Sequence, residues 1–278
     1  MDIVIAILTS LLAIASPVGA IVDQLAEEAI RDQIAGAEEL YVRLDNIPNY
    51  QVLNGRINHV RAAGRGIYPV PELRIAAVDL ETDTVDVDFG QLRQGQLALD
   101  EPLQGAVKVV LLGSDVNQFI ASDWAQEQLR QLQFTLPGGR TRESSRYGLV
   151  DPSLEFLPDN RLRVVVDLQD RVTEETLPIT VELGLNIVKG HRLELIDPAI
   201  TISGEAAPPQ LLTSLAAGAE DQLTLKRLEE FGITARVLDF AIRDNELMIA
   251  MFARVEPDSP LLNREPRPAS LPEESADK

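Results

Sequence analysis

The chain has 278 residues, and its 44 acidic and 25 basic side chains give a net charge of −19. This charge repels nucleic-acid phosphates, which excludes nucleic acid as a partner, and it disfavours general electrostatic adhesion to anionic membranes. Cysteine is absent, which excludes disulfides, thiolate metal sites and cysteine nucleophiles.

The amino terminus, MDIVIAILTSLLAIASPVGA, has an apolar core from Ile3 to Ala15. This core is shorter than the roughly 20 residues that span a bilayer and has the length of a signal-peptide core. A basic start is lacking, and Asp2 has the opposite charge. We predict that residues 1–20 form an apolar signal or anchor segment. The protein would then be membrane-associated or exported to a periplasm or thylakoid lumen; a buried first helix of a cytosolic core is the alternative.

An amphipathic helix is predicted next, because apolar residues from Ile21 to Ile34 recur on one helical side. Strands follow between Leu40 and Leu111, where apolar and polar residues alternate. Turn signals separate these strands and leave no room for a crossover helix. We therefore predict antiparallel pairing.

The stretch from Glu72 to Phe89 carries five acids, at positions 79, 81, 83, 86 and 88. A calcium loop starting at Asp79 would need glycine at its sixth position and glutamate at its twelfth, where Thr84 and Gly90 stand. The acids instead alternate with apolar residues, as in a strand with one buried face. We predict that they face water and that the protein has no metal site.

Helices and a second run of strands are predicted in the second half of the chain. Helix starts are indicated at Ser114–Asp115 and at Ser122–Asp123, and again at Pro208. Polar residues 137–148 indicate an exposed loop. The predicted strands are Leu162–Leu168, Leu177–Ile187, Ile233–Ile242 and Leu247–Val255.

The predicted strands have more apolar faces than the predicted helices could cover in a flat two-layer sandwich. The apolar positions switch between odd and even residue numbers at Ala76–Ala77 and at Val237–Leu238. Such switches indicate bulges, which bend long strands. We therefore predict an α+β fold in which a long, strongly curved antiparallel sheet wraps around an amphipathic helix. Residues 21–256 would form one lipid-binding-like domain, and the residues 257–278, rich in proline and charge, a disordered tail.

Catalytic and cofactor motifs are missing from the sequence. G-x-S-x-G, dinucleotide and phosphate-loop patterns are absent, so we predict no cofactor. His59 and His191 are the only histidines, and we interpret both as structural residues. A carboxylate-dependent hydrolase remains an alternative, because among 44 acids some pair will lie close in space.

The segment LYVRLDNIPNYQVLNGRINHVRAAGRGI, residues 40–67, followed by LRIAAVDLETDTVDVD, residues 73–88, resembles the cyanobacterial branch of the LmeA-like phospholipid-binding family. Residues 16–31 have the same character, and the resemblance extends to about Pro257. It rests on strand patterns and on the motifs DNIPNY and GRGI. The resemblance implies a fold similar to tubular lipid-binding proteins, where a long antiparallel sheet wraps a helix and leaves an aliphatic cavity. It assigns no binding residues.

We predict a non-enzymatic protein that binds or transfers a phospholipid or other acyl lipid at a cell-envelope or thylakoid membrane. The predicted acyl-chain contacts are the inward aliphatic residues of the long strands: Leu73, Ile75, Val107, Val109, Leu111, Leu162, Val164, Val166, Val181, Leu183 and Leu185. The predicted headgroup contacts are the loop residues Arg140, Arg142 and Arg146, whose guanidinium groups can grip a phosphate with two hydrogen bonds. The alternative is an envelope scaffold whose core is fully packed.

Overall fold

The computed structural model describes residues 31, 34–45, 56–88, 91, 98–131, 147–208, 224–243, 245–260 and 262. The first strands are β1 (Gly36–Asp45), β2 (Arg56–Ile57), β3 (His59–Val70), β4 (Leu73–Thr82), β5 (Val85–Asp86) and β6 (Leu103–Leu112). The helices α1 (Gly113–Ile120) and α2 (Asp123–Gln131) follow. The next strands are β7 (Tyr147–Leu157), β8 (Arg161–Asp170), β9 (Thr176–Val188), β10 (Arg192–Ile202) and β11 (Glu205–Ala206). A 3-10 helix (Leu225–Phe231) precedes β12 (Ile233–Arg243) and β13 (Glu246–Val255).

The described strands form two main antiparallel sheets. One sheet has six strands in the order β1-β3-β4-β6-β13-β12, and the other has five in the order β11-β10-β9-β8-β7. A small pair joins β2 to β5. The predicted fold class is confirmed: the protein is mostly antiparallel sheet with few helices, curved and not closed. The structure adds that the strands are divided between two sheets, of which the second is a meander placed in the chain between β6 and β12.

The predicted helix from Ile21 lies outside the described residues except for its end. Ile34, its last apolar residue, is buried in the main core cluster. The segment 1–20, the arginine loop and the helix after Pro208 also lie outside the described part of the chain. Within the part that is described, no helix is both long and apolar enough to cross a membrane.

One face of the six-stranded sheet forms the main core. The strand register places Leu40, Gly64, Val78, Val109 and Ile249 in one row across β1, β3, β4, β6 and β13. Apolar residues of every second row, such as Val42, Leu80 and Val107, share this face because successive side chains along a strand point to opposite faces. The buried cluster that results is the hydrophobic core of the described residues.

The acids of the Glu72–Phe89 stretch lie between buried valines, as predicted. Val78, Val85 and Val87 are buried, and Phe89 is outside the described residues. Three of the acids form cross-strand ion pairs: Arg65–Asp79 at 2.9 Å, Arg61–Glu81 at 3.0 Å and Arg56–Asp86 at 3.0 Å. The side chains of Asp79 and Glu81 are 44% and 58% exposed and face water as predicted, whereas that of Asp86, in the small β2–β5 pair, is only 16% exposed, so the prediction is wrong for this acid. No group of three or more potential metal ligands occurs among the residues that the structure describes.

The two helices differ in how their N-termini are capped. α1 begins at Gly113, one residue before the predicted start, and its N-cap Leu112 supplies no side-chain hydrogen bond. Asp115 does not cap the helix but pairs with Arg74 of β4, with the two side chains 2.8 Å apart. The cap of α2 is as predicted, because the Oγ of Ser122 accepts a hydrogen bond from the N–H of Ala125 at 3.3 Å.

The strand β7 was not predicted, and the predicted loop 137–148 overlaps its first two residues. The sequence Asp151-Pro152 argues against a strand, because proline lacks the N–H that a central strand needs. β7 is an edge strand, and its register shifts between Val150 and Ser153. The proline is accommodated at this irregularity.

Only one of the two predicted bulges is present. The register of β12 with β13 shifts between Val237 and Asp239, as predicted. At Ala76–Ala77 the buried positions of β4 do change from odd to even, from Leu73 and Ile75 to Val78, but the register with β3 does not shift, so the predicted bulge is absent. The irregularity of that pair falls between Ile67 and Val70 instead.

The turns of the second sheet dock on β12, the edge strand of the first. The N–H of Val237 donates to the carbonyl of Gly190 at 2.6 Å, and the N–H of Ile242 donates to Oδ1 of Asn160 at 2.8 Å. Gly190 lies in the β9–β10 turn and Asn160 in the β7–β8 turn. The second sheet therefore satisfies backbone donors that an open edge would expose.

The ordered chain continues beyond β13. Ser259 is fully buried, and its hydroxyl donates to the carbonyl of Phe231 at 2.7 Å.

Candidate functional site

The predicted lining residues of the first sheet lie in or against its core. Ile75 and Val109 belong to the buried cluster, and Val107 and Leu111 pack against it half-buried. Leu73 is also buried. Ile75 and Val109 are therefore packed against other side chains of the protein, whereas Val107 also lines an open concavity.

The predicted lining residues of the second sheet lie on one common face. Leu162 of β8 pairs with Leu183 of β9, and Val164 pairs with Val181. Leu185 pairs with Leu195 of β10, and Val166 is the partner of Ile179. The register thus brings together the residues that we call the aliphatic face: Leu162, Val164, Val166, Ile179, Val181, Leu183, Leu185, Ile187, Leu193, Leu195, Ile200 and Ile202.

The aliphatic face is only partly covered. Val166 and Leu183 are each 8% exposed, whereas the other residues of the face are half-buried. Among the described elements, β12 is the main neighbour of β9 outside its own sheet, and the hydrogen bonds between the two sheets lie at the turns. A broad aliphatic surface therefore keeps part of its area in contact with solvent.

The opposite face of the same sheet is charged and fixes the register. Glu182 of β9 accepts hydrogen bonds from Arg161 at 3.1 Å and from Arg163 at 3.2 Å. These hydrogen bonds, above all that from Arg163, hold the pKa of the Glu182 carboxyl below its usual value. Arg163 also reaches Glu155 of β7 at 2.8 Å. A shift of one residue would break these pairs and invert the aliphatic face.

Two open concavities lie elsewhere. One of about 480 Å³ crosses β1, β3, β4 and β6 and is lined by residues that include Tyr41, Leu80 and Val107. Another, of about 390 Å³, lies at the joint between the sheets beside Asn160 and Phe240. Neither is lined by the aliphatic face, which is a surface and not a closed pocket.

The two histidines have different surroundings. Nδ1 of His59 lies 3.2 Å from the carbonyl of Thr82, consistent with a structural role. His191 lies in the β9–β10 turn, where its carbonyl accepts a hydrogen bond from the N–H of Leu225 at 2.8 Å. Its Nδ1 is shielded from solvent and has no hydrogen-bond partner.

A group of basic residues surrounds His191, which sequence reasoning missed. Burial lowers the pKa of the His191 imidazole, and the positive charges of Lys226, Arg236 and Lys189 lower it further, while Glu229 opposes them. We call Lys189, His191, Lys226 and Arg236 the turn cluster. The only sequence signal for it was the short Lys189-Gly190-His191 motif, because its other members lie far along the chain.

Comparison with the sequence models of known families gives a match over most of the chain. Residues 15–252 match the sequence model of a family described as LmeA-like phospholipid-binding. This match confirms the family resemblance seen in the sequence. No curated protein and no solved structure in the comparison gave a significant match.

Proposed function

Because the chain belongs to the LmeA-like phospholipid-binding family, we propose that it binds a phospholipid or other acyl lipid without catalysis, with the acyl chains along the aliphatic face. The observation that carries this proposal is the partial exposure of one continuous aliphatic surface across β8, β9 and β10. An acyl chain laid on this surface would remove apolar area from water, at roughly 25 cal/mol for each Å² buried.

The dimensions of the second sheet suit an acyl chain. β9 has 13 residues, which span about 40 Å at roughly 3.3 Å per residue. One leaflet of a bilayer has a hydrocarbon thickness of about 15 Å, half that of the whole core. A chain of that length fits along β9 with room to spare.

A lipid-free scaffold is the second candidate, and a specific observation favours it for the first sheet. Ile75 and Val109 belong to a packed cluster of side chains, so a ligand there would have to displace protein atoms. We therefore propose no acyl-chain contact at Ile75 or Val109 and place the proposed site on the second sheet.

We also propose that the protein works at a membrane, in a cell envelope or a thylakoid, and passes lipid to or from it. The apolar segment 3–15 supports this location, because such a segment is costly to leave in water. Fractionation of cells that express the full chain tests it. Recovery in the cytosolic soluble fraction with the first twenty residues intact would contradict the proposal.

The lipid site is tested with a matched pair of double variants. Val164→Thr with Val181→Thr places two hydroxyls on the aliphatic face, where the two valines are cross-strand partners. The control, Val165→Thr with Val188→Thr, makes the same chemical change on the opposite face of the same two strands. Threonine keeps the shape and strand preference of valine, so both variants should fold.

Lipid that copurifies from membranes is then measured by native mass spectrometry, together with the melting temperature. We expect wild type and control to carry lipid and the aliphatic-face variant to carry several-fold less. Equal lipid in both variants would place the site elsewhere. Wild-type protein without lipid would support the scaffold.

A further inference from the structure

The turn cluster is a concentration of positive charge in an acidic protein. The chain has four lysines, and two of them, Lys189 and Lys226, act on the same imidazole. Neither forms an ion pair within the described part of the chain. Glu229 is the acid that acts on His191, and it is paired with Arg236 at 3.1 Å.

Backbone contacts hold the turn cluster together. The N–H of Leu225 and the hydroxyl of Thr224 both donate to the carbonyl of His191, at 2.8 Å and 3.4 Å. The carbonyl of Gly190 accepts from the N–H of Val237. A Cβ atom at Gly190 would lie 3.7 Å from Cβ of Arg236. The three chain segments that carry the basic side chains are therefore fixed against one another.

His191 supplies an unused polar atom at the centre of this arrangement. Its Nδ1 is the one shielded side-chain nitrogen or oxygen without a hydrogen-bond partner among the described residues. A shielded polar atom without a partner is costly and is uncommon unless a ligand, ion or water completes it. Lys226, Arg236 and Lys189 all add positive charge near this imidazole, so the local charge favours an anion as the partner.

The turn cluster lies where the aliphatic face ends. Ile187 and Leu193 belong to that face and are cross-strand partners of each other. The turn that carries Lys189 and His191 connects their two strands directly. A lipid whose chains follow β9 and β10 toward this turn would bring its polar end to the cluster.

We propose that the turn cluster binds a phosphate group, and that this phosphate belongs to the headgroup of a lipid on the aliphatic face. The inference rests on the proposed function, since it assigns the polar end of the same site. It differs from the expectation based on the loop arginines Arg140, Arg142 and Arg146.

The electrostatics of His191 agree with this assignment. Burial and the cations Lys226, Arg236 and Lys189 disfavour the protonated imidazole, and Glu229 is the acid that favours it. A bound phosphate would favour the protonated form, so His191 would take up a proton on binding. Lowering the pH through the titration of His191 should therefore tighten binding to the wild type more than to a His191→Gln variant.

The test compares dioctanoyl phosphatidic acid with dioctanoylglycerol, which has the same chains but no phosphate, by calorimetric titration of the full chain. Lys189→Gln with Lys226→Gln removes two charges from the turn cluster. Lys108→Gln with Lys278→Gln is the control, because it removes the same charge elsewhere. Inorganic phosphate is titrated separately.

We expect wild type and control to prefer phosphatidic acid. The turn-cluster variant should bind it about tenfold more weakly, the effect of losing the charge interactions of two exposed lysines, and should bind dioctanoylglycerol unchanged. Wild-type affinity for phosphatidic acid in that variant would overturn the inference and leave the lipid site standing. If the turn-cluster variant lost only inorganic phosphate binding and kept its lipid binding, the cluster would be a site for a free anion. That result would also overturn the inference. Absence of binding of either lipid to the wild type would overturn the proposed function and the inference together.

Discussion

Replacement of Leu183 by aspartate should strongly destabilise the second sheet. Leu183 is 8% exposed and pairs with Leu162 on the aliphatic face. Loss of its burial costs about 2 kcal/mol, and a carboxyl group without a partner in this apolar site adds roughly 2 kcal/mol or more. The total of about 4 kcal/mol is a large part of the 5–15 kcal/mol that typically holds a domain folded.

Glu182→Ala is the matched comparison, because Glu182 is the neighbouring residue on the opposite face. This change removes hydrogen bonds to Arg161 and Arg163. The Glu182 side chain is one third exposed, so solvent screens these interactions and we expect a loss of about 1 kcal/mol.

The two variants should also differ in their dependence on pH. The pKa of Glu182 is lowered in the folded protein, so its contribution is present above the ordinary glutamate value and is lost as the pH falls toward the lowered value. An aspartate at position 183 would have a raised pKa in the folded state. The deficit of Leu183→Asp should therefore keep growing above pH ~4, by up to about 1.4 kcal/mol per pH unit, until the raised pKa is reached.

Urea denaturation at several pH values measures both free energies of unfolding. A Leu183→Asp variant within 1 kcal/mol of wild type at neutral pH, on the order of the effect of a surface change, would refute the assignment of Leu183 to an apolar face. The same assignment would fail if Glu182→Ala proved the more damaging change.

Three further predictions concern the contact between the two sheets, the Arg74–Asp115 ion pair and the acids of the Glu72–Phe89 stretch. Asn160→Gly should lose about 1–2 kcal/mol, because the N–H of Ile242 loses its acceptor, whereas Asn160→Asp should retain most of the stability in the same denaturation assay. Arg74→Met should lower the free energy of unfolding by roughly 2–3 kcal/mol, because Asp115 is only 10% exposed and loses its 2.8 Å partner; a loss no larger than that of an exposed arginine would contradict this. Calorimetric titration with calcium should give no micromolar binding, and a response that Asp79→Asn abolishes would show the metal prediction to be wrong.

The local pattern of the sequence was enough to predict the strand faces. Alternation placed Val78, Val85 and Val87 inside, and it placed the odd residues of β9 on one face, because a strand repeats every two residues. The same alternation occurs in both sheets. It therefore could not distinguish Ile75, which lies in a packed core, from Val181, which remains partly exposed.

Long-range contacts account for what the sequence did not reveal. The two sheets are joined by hydrogen bonds from backbone N–H groups of β12 to Gly190 and Asn160. These residues are far from β12 in the sequence, so no local pattern predicts the contact. The turn cluster was missed for the same reason. His191, Lys226 and Arg236 are far apart in sequence and meet only where the β9–β10 turn docks against β12.

The order of the strands has a consequence for how the protein is made. β6 pairs with β13, which begins at Glu246, about 130 residues after β6 ends at Leu112. At typical rates of synthesis this interval lasts on the order of 10 s. The second sheet, in which each strand pairs with its neighbour in the chain, can form during that time because its contacts are local. β6 must wait with one edge unpaired, and an unpaired edge invites pairing with another chain. The nascent protein is therefore most vulnerable to aggregation just before its last two strands emerge.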